Sequence, residues 1–170
     1  MFKKIMCAIV LVALSQVSFA AKMAALNVQA VLGNADLTKS KFESLQKSAE
    51  YAQVLAQYEA LTADLKALRK EAQTKGMTWS EAQKTENIKK EQFITQDLQL
   101  AQKKLQTERK VVEESVVREL QPLLQTAIKQ VIDAEGLDIV LDRQAVQYAN
   151  EKHDITKKVL EALNKLAKKK

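Results

Sequence analysis

Gly76-Met77-Thr78-Trp79-Ser80-Glu81 is the stretch that decides the fold. Gly76 is the only glycine between Asn34 and Gly136, and the single proline of the chain, Pro122, lies far downstream of it. The flanks are dense in Ala, Leu, Gln, Lys and Glu, all strong helix formers. Helices of globular proteins average roughly 11–12 residues, so about a hundred residues with so little punctuation predict two very long helices that reverse at Gly76. Glycine tolerates positive φ at a helix C-terminus. Thr78 or Ser80 can cap the return helix, with Glu81 in its first turn. Met77 and Trp79 then occupy the tip of a hairpin, where they close the end of the helical seam or offer an apolar contact to a bound partner.

Outward from the tip, the descending side predicts one helix over 36–75, capped by Asn34 or Asp36. Its apolar residues from Tyr51 onward recur at alternating intervals of three and four: Tyr51, Val54, Tyr58, Leu61, Leu65, Leu68, Ala72. Before that the stripe shifts to Phe42, Leu45, Ala49 and Ala52, a heptad seam with a change of phase. The return side predicts a helix over 81–135. Its stripe begins thin, with Ile88, Ile94, Leu98, Ala101, Leu105 and Val112, and thickens at Val116, Leu120, Leu123, Leu124, Ala127, Ile128, Val131 and Ile132. Pro122 inside this pattern removes one backbone bond and predicts a kink. Gly136 ends the helix.

Both chain ends have a different texture. Residues 23–32 alternate, with Leu26, Val28, Ala30 and Leu32 on one side, and so predict a half-buried strand. Residues 137–142 and 146–149 form two short β-rich runs around Arg143-Gln144-Ala145. A last amphipathic helix over 154–167 carries Ile155, Val159, Leu160, Leu163 and Leu166, with Asp154 or Thr156 as cap. The fold class is therefore α+β and mostly helical: a long antiparallel hairpin on a small β-body. Three strands per chain make a meagre sheet, so the body is expected to be completed by self-association. Leu26, Val28, Ile139, Leu141, Val146 and Tyr148 are the candidate residues for that surface.

Residues 1–20 form a leader. Lys3 and Lys4 precede an apolar run over 5–14, and Ser18-Phe19-Ala20 presents small residues for cleavage after Ala20. About ten apolar residues are too few for a span, which needs roughly 20. The domain layout is thus 1–20 leader, 21–35 and 120–170 body with C-terminal helix, and 36–119 helical arm.

Composition argues against catalysis. The one cysteine, Cys7, lies in the leader, and His153 is the only histidine, so no usual zinc set can assemble. Isolated glycines at 33, 76 and 136 cannot make a phosphate loop. Glu113 and Glu114 are neighbours on a helix and cannot face a common substrate. No enzyme, cofactor or metal is expected. The formal charge is +6, yet residues 36–135 hold 16 basic and 16 acidic side chains, with the surplus in the last 34 residues, ending Lys168-Lys169-Lys170. A charge-balanced arm argues against nucleic acid, while the basic tail reads either as a frayed, solvated chain end, its commoner meaning, or as a contact for anionic lipid headgroups.

The order of leader, strand, long hairpin and then QTAIKQVIDAEGLDIVLDRQAVQYANEKHDITKKVLEALNK over 125–165 resembles the Skp/OmpH family of periplasmic chaperones. The matching pieces are Gln125-Thr126-Ala127-Ile128-Lys129, Leu137-Asp138-Ile139-Val140-Leu141-Asp142, Ala145-Val146-Gln147-Tyr148 and Asp154-Ile155-Thr156, followed by Val159-Leu160. The resemblance implies a jellyfish-shaped homotrimer, its β-body bearing three tentacles around a cavity. It also implies an ATP-independent periplasmic holdase for unfolded outer membrane proteins. A lipopolysaccharide-binding basic cluster near the base of the return helix would fall at Arg109 and Lys110, in a stretch that departs from the family's pattern. Two other readings stand beside it: a coiled-coil spacer of the envelope, which uses the arm only for length, and a peripheral membrane-surface protein acting through its basic tail.

Overall fold

The computed structural model describes residues 21–169, so the leader and its cleavage site lie outside the described residues. The chain runs β1 (Met23–Leu26), α1 (Val28–Asn34), α2 (Asp36–Lys47), α3 (Ala49–Lys75), a 3-10 turn (Gly76–Thr78), α4 (Glu81–Glu135), β2 (Ile139–Asp142), a 3-10 turn (Glu151–His153) and α5 (Thr156–Ala167). The long hairpin and the small sheet are both present. At 1.5 Å per residue, the 55 residues of α4 extend about 80 Å.

The first strand is shorter than its alternation predicted. Asn27 ends it, because its side-chain oxygen accepts from the Ala30 amide at 2.9 Å and caps α1. Val28, Val31, Leu32 and Ala35 share the 3–4–7 spacing of a helix face, and Val31 and Ala35 are fully buried. Val28 therefore opens a helix rather than continuing the strand. The C-terminal β-run is also halved. Residues 143–145 form a turn in which the Ala145 and Gln144 amides bond the Asp142 carbonyl (3.0 Å) and carboxylate (2.9 Å). Val146 and Tyr148 follow without strand pairing, since Arg143 takes the Val146 carbonyl at 3.2 Å and Tyr148 stands 79% exposed.

The sheet has two strands, β1 and β2, paired in parallel with Met23 opposite Ile139 and Leu26 opposite Asp142. The crossover between them is the whole arm. On the far side of β1 the Ile155 amide bonds the Ala25 carbonyl at 3.0 Å. That contact bolts the start of α5 to the sheet, and Thr156 adds a hydroxyl acceptor for the Asn27 amide at 2.9 Å. Asp154 serves as a local cap, accepting from the Thr156 amide at 2.8 Å.

The core lies at this end. Leu26, Val31, Ala35, Ile155, Val159 and Leu163 close over Val116, Leu120, Leu124, Ala127 and Val131 of α4. Leu120, Leu163, Val31 and Val159 are the largest fully buried side chains. Pro122 falls on the exposed face of α4, and the helix continues through it. Gly136 ends α4 with φ 61, a left-handed cap that L-residues adopt only under strain.

The descending helix is not continuous. Ser48 interrupts it in extended conformation (φ −67, ψ 137), ending α2 and starting α3. Its hydroxyl donates to the Leu45 carbonyl at 2.8 Å and accepts from the Tyr51 amide at 3.3 Å. The change of phase in the apolar stripe around Ala49 is this break. Neither Asn34 nor Asp36 caps α2 with its side chain. Instead the Asp36 amide is satisfied by Asn164 Oδ1 at 3.0 Å, from α5.

Candidate functional site: the arm and the open sheet face

Two surfaces stand apart from the core. The first is the arm, α3 against α4. Ion pairs tie them at Glu50–Lys104 (3.0 Å) and Arg69–Glu91 (2.7 Å), one index rising as the other falls, as antiparallel helices require. Lower down, Lys41 of α2 reaches Ser115 at 2.7 Å and pairs with Glu119. These pairs are exposed, and such pairs contribute about 0.2–1 kcal/mol each, so they set register more than strength.

The α3 seam runs through Tyr51, Val54, Tyr58, Leu61, Leu65, Leu68 and Ala72, with only the first two buried. Facing it on α4, the half-buried positions Asn87, Glu91, Ile94, Leu98, Leu105, Glu108 and Val112, with buried Ala101, keep the same alternation of three and four. Asn87, not Ile88, holds the seam position, and Ile88 is exposed. The spacing is regular and the filling is poor, with an amide and two carboxylates where a packed coiled coil would place leucine. From Leu55 to Leu100 no residue is buried. The gradient expected from composition, apolar at the base and thin toward the tip, is present.

The residues that sequence reading passed over lie on another face of α4. Phe93, Leu100 and Val111 are exposed by 66%, 68% and 58%. Their separations of seven and eleven residues total five full helical turns, so they form one stripe outside the seam positions, with Phe93 bordering the groove between α3 and α4 beside Leu68 and Ile94. Their signal was available: three large apolar residues off the 3–4 register of the seam. Near them Glu86 and Lys90 pair at 2.7 Å. That hydrogen bond, with the attraction of opposite charges, holds the Glu86 carboxyl below and the Lys90 ammonium above their ordinary pKa values.

At the tip, the structure separates the two candidates. Gly76 is right-handed (φ −59, ψ −27), so the reversal does not use left-handed freedom. The chain turns instead through extended Trp79 and Ser80. The Trp79 ring folds back to 3.9 Å of where a Cβ on Gly76 would stand, an ordinary van der Waals distance, so the packing does not demand glycine there. Ser80 and Gln83 form a reciprocal capping box, with bonds of 3.3 and 2.8 Å. Trp79 is half-buried, whereas Met77 is 97% exposed.

Of the two candidate basic residues, Arg109 lies 5.9 Å over the Phe42 ring, a cation–π contact that ties α4 to α2. Lys110 points to Glu114 at 3.9 Å. Each has an intramolecular partner, and the two do not converge on a common pocket.

The second surface is the sheet. Among the described residues, β2 pairs only with β1, so its outer edge is unpaired. One face of the pair is also open: Met23, Ile139 and Leu141 are partly exposed, and Leu141, Val146 and Tyr148 line a cavity of about 850 Å³ with Met23 and His153. An apolar sheet face beside a free edge is a surface that another strand can complete. Leu26, by contrast, is buried inside its own chain. Among the described residues, no group of His, Cys, Asp or Glu is placed to hold a metal ion.

A family model for outer membrane protein (OmpH-like) matches residues 22–163. A Skp-like protein of Pseudomonas aeruginosa is 27% identical over 145 residues, covering 85% of this chain and 85% of its own length. The chaperone protein Skp of Vibrio cholerae serotype O1 matches locally, 42% identical over 41 residues and 24% of each chain. A crystal structure from Caulobacter crescentus CB15, described as an outer membrane chaperone (OmpH-like), aligns with a TM-score of 0.46 at 22% identity, covering 86% of this chain and 85% of that one.

Proposed function

The chain belongs to the outer membrane protein (OmpH-like) family, and from that premise we propose that it is an ATP-independent periplasmic holdase, assembled as a homotrimer, that shelters unfolded outer membrane β-barrel proteins between its arms. One observation carries the reading. Over 55–100 the arm buries no residue of its own, yet Phe93 and Leu100 stand on it exposed, and Val111 continues their stripe. Unfolded barrel strands present alternating apolar faces that aggregate unless covered. Scattered apolar contacts on a charge-balanced helical wall hold such chains weakly at many points without selecting one sequence.

Trimerisation is supported by the open sheet face. Three copies that join β2 edges would bury Ile139 and Leu141 and hold three arms around one space. Leader removal after Ala20 would deliver the chain to the periplasm. Met77 at the tip is a further candidate for client contact, with Trp79 folded back beneath it.

The test is aggregation of a urea-diluted outer membrane barrel, followed by light scattering, with the exported chain in slight excess as assembled oligomer. Suppression is expected, and failure by an intact oligomer overturns the reading. Replacing Phe93, Leu100 and Val111 together with serine should weaken client binding on the order of 10-fold or more while leaving oligomer mass unchanged, since the stripe lies outside core and seam. The spacer reading draws on the regular seam spacing of α3 and α4. It expects no effect from this triple change.

A further inference from the structure

Beyond its seam and its apolar stripe, α4 carries a third line of residues. Thr85, Ile88, Gln92, Thr95, Gln99 and Gln102 follow one another at alternating steps of three and four. That is the register of the seam, repeated about 120° around the helix. All of them except half-buried Thr95 are exposed. Glu86, Lys89, Lys90, Glu91 and Asp97 belong to the same stretch, and every one of them falls off the line.

The polar groups on this line are unequally occupied. The Thr85 and Thr95 hydroxyls donate back to the Glu81 and Glu91 carbonyls at 2.8 and 2.7 Å. The side-chain amides of Gln92, Gln99 and Gln102 make no hydrogen bond within the chain among the described residues. Elsewhere on the arm Lys75, Lys84 and Lys90 each pair with a glutamate one turn away. Gln92 and Gln99, with Ile88, Thr95 and Gln96, border a groove of about 630 Å³. The one carboxylate on that groove, Glu91, is taken by Arg69 at 2.7 Å.

We infer that the glutamine line is a backbone-binding subsite for an extended segment of unfolded polypeptide. The inference rests on the holdase reading and specifies its chemistry. A helical partner would need apolar knobs along such a line, and only Ile88 is one. A charged partner would need charge, and the line has none. An extended backbone carries neutral donors and acceptors, and each glutamine amide offers both in return. The line and the exposed pair Phe93 and Leu100 flank the side of α4 turned from α3. They lie on the order of 10 Å apart around the helix, with Gln96 between them. An extended segment along that side sets apolar side chains on the stripe and its peptide groups on the amides. From Gln92 to Gln102 the line rises about 15 Å, the length of four or five extended residues. Each such bond replaces one to water and contributes little net, so the segment is held weakly and without regard to its sequence.

The test is titration of a fluorophore-labelled, urea-diluted outer membrane barrel with the exported chain, read as anisotropy. Gln92→Glu with Gln99→Glu leaves acceptors without donors, and Gln92→Lys with Gln99→Lys leaves donors without acceptors. All three residue types are good helix formers, so helix content and oligomer mass should be unchanged. Both pairs should weaken binding, each about 5-fold. Gln53→Glu with Gln57→Glu, at exposed positions of α3, should change it less than about 2-fold. Native affinity in both α4 pairs overturns the inference, and so does an equal loss in the α3 pair. Opposite effects of glutamate and lysine overturn it as well, because the barrel's charge alone would then be felt. A fall in oligomer mass in both α4 pairs would make the line a contact between copies and overturn it too. Absence of binding by the native chain is the separate result that removes the holdase reading itself.

Discussion

Leu100 and Leu120 sit on the same helix and show how far residue type alone falls short. Leu120 is fully buried among Val31, Val159 and Leu163, whereas Leu100 is 68% exposed. Leu120→Ala should lower the unfolding free energy by about 2–5 kcal/mol through lost burial and a residual cavity. Leu100→Ala should change it by less than about 0.5 kcal/mol. Urea denaturation at one fixed protein concentration checks both, and equal effects would contradict the division into core and exposed stripe. Gly136 is the other residue with a definite cost. At φ 61 an alanine would be strained, and Gly136→Ala should destabilise by about 1–2 kcal/mol in the same assay. Gly76 carries no such backbone demand.

At the scale of elements, the break at Ser48 is the feature that most changes the arm. Below it, α2 is held to α4 by Lys41 and by Phe42 under Arg109. Above it, α3 starts afresh, with Tyr51 and Val54 buried and Glu50 tied to Lys104. A single side chain caps both helix ends at this joint. Ser48→Ala removes those bonds, and loss of an N-cap costs about 1 kcal/mol. Amide exchange at residues 49–53 should accelerate in the variant while that of 120–131 stays unchanged. Unchanged exchange at Tyr51 would mean that its amide does not depend on the serine. Neighbouring elements also explain where sequence reading slipped. Alternation over 23–32 is compatible with a strand, but Asn27 supplies a cap, and Val28, Val31, Leu32 and Ala35 fit a helix equally well. Over a few small residues the two periods overlap, and the amide bond from Ala30 to Asn27 settles between them.

For the whole molecule, the gradient of burial predicts a gradient of motion. Native-state hydrogen exchange should be faster over 55–100 than over 116–131, because opening the distal arm exposes little apolar surface while opening the base exposes the core. Equal protection would contradict a loosely filled arm. Assembly is tested at the other pole. Leu141→Asp places a charge on the open face of β2, opposite Ala25, and should shift the mass by light scattering from that of the proposed trimer to that of a monomer with helix content retained. A trimer that survives this change would have to be held by another surface.

Much of this architecture was legible in the order of residues. One glycine and one proline in about a hundred residues announce long helices, because helix propagation is local and needs only the absence of breakers. The reversal near Gly76, the cap at Ser80, the thin distal seam and the apolar base all follow from spacing along one chain. Tertiary structure alone decided which polar groups find distant partners. Asn164 satisfies the Asp36 amide, Thr156 that of Asn27, and Lys168 leaves the tail for Asp36. It also decided that Val146 and Tyr148 stay outside the sheet, that Asn87 displaces Ile88 from the seam, and that Phe93, Leu100 and Val111 face outward together. Periodicity determines which residues share a face. What that face meets depends on how distant segments come together in space, and that is a property of the packed chain.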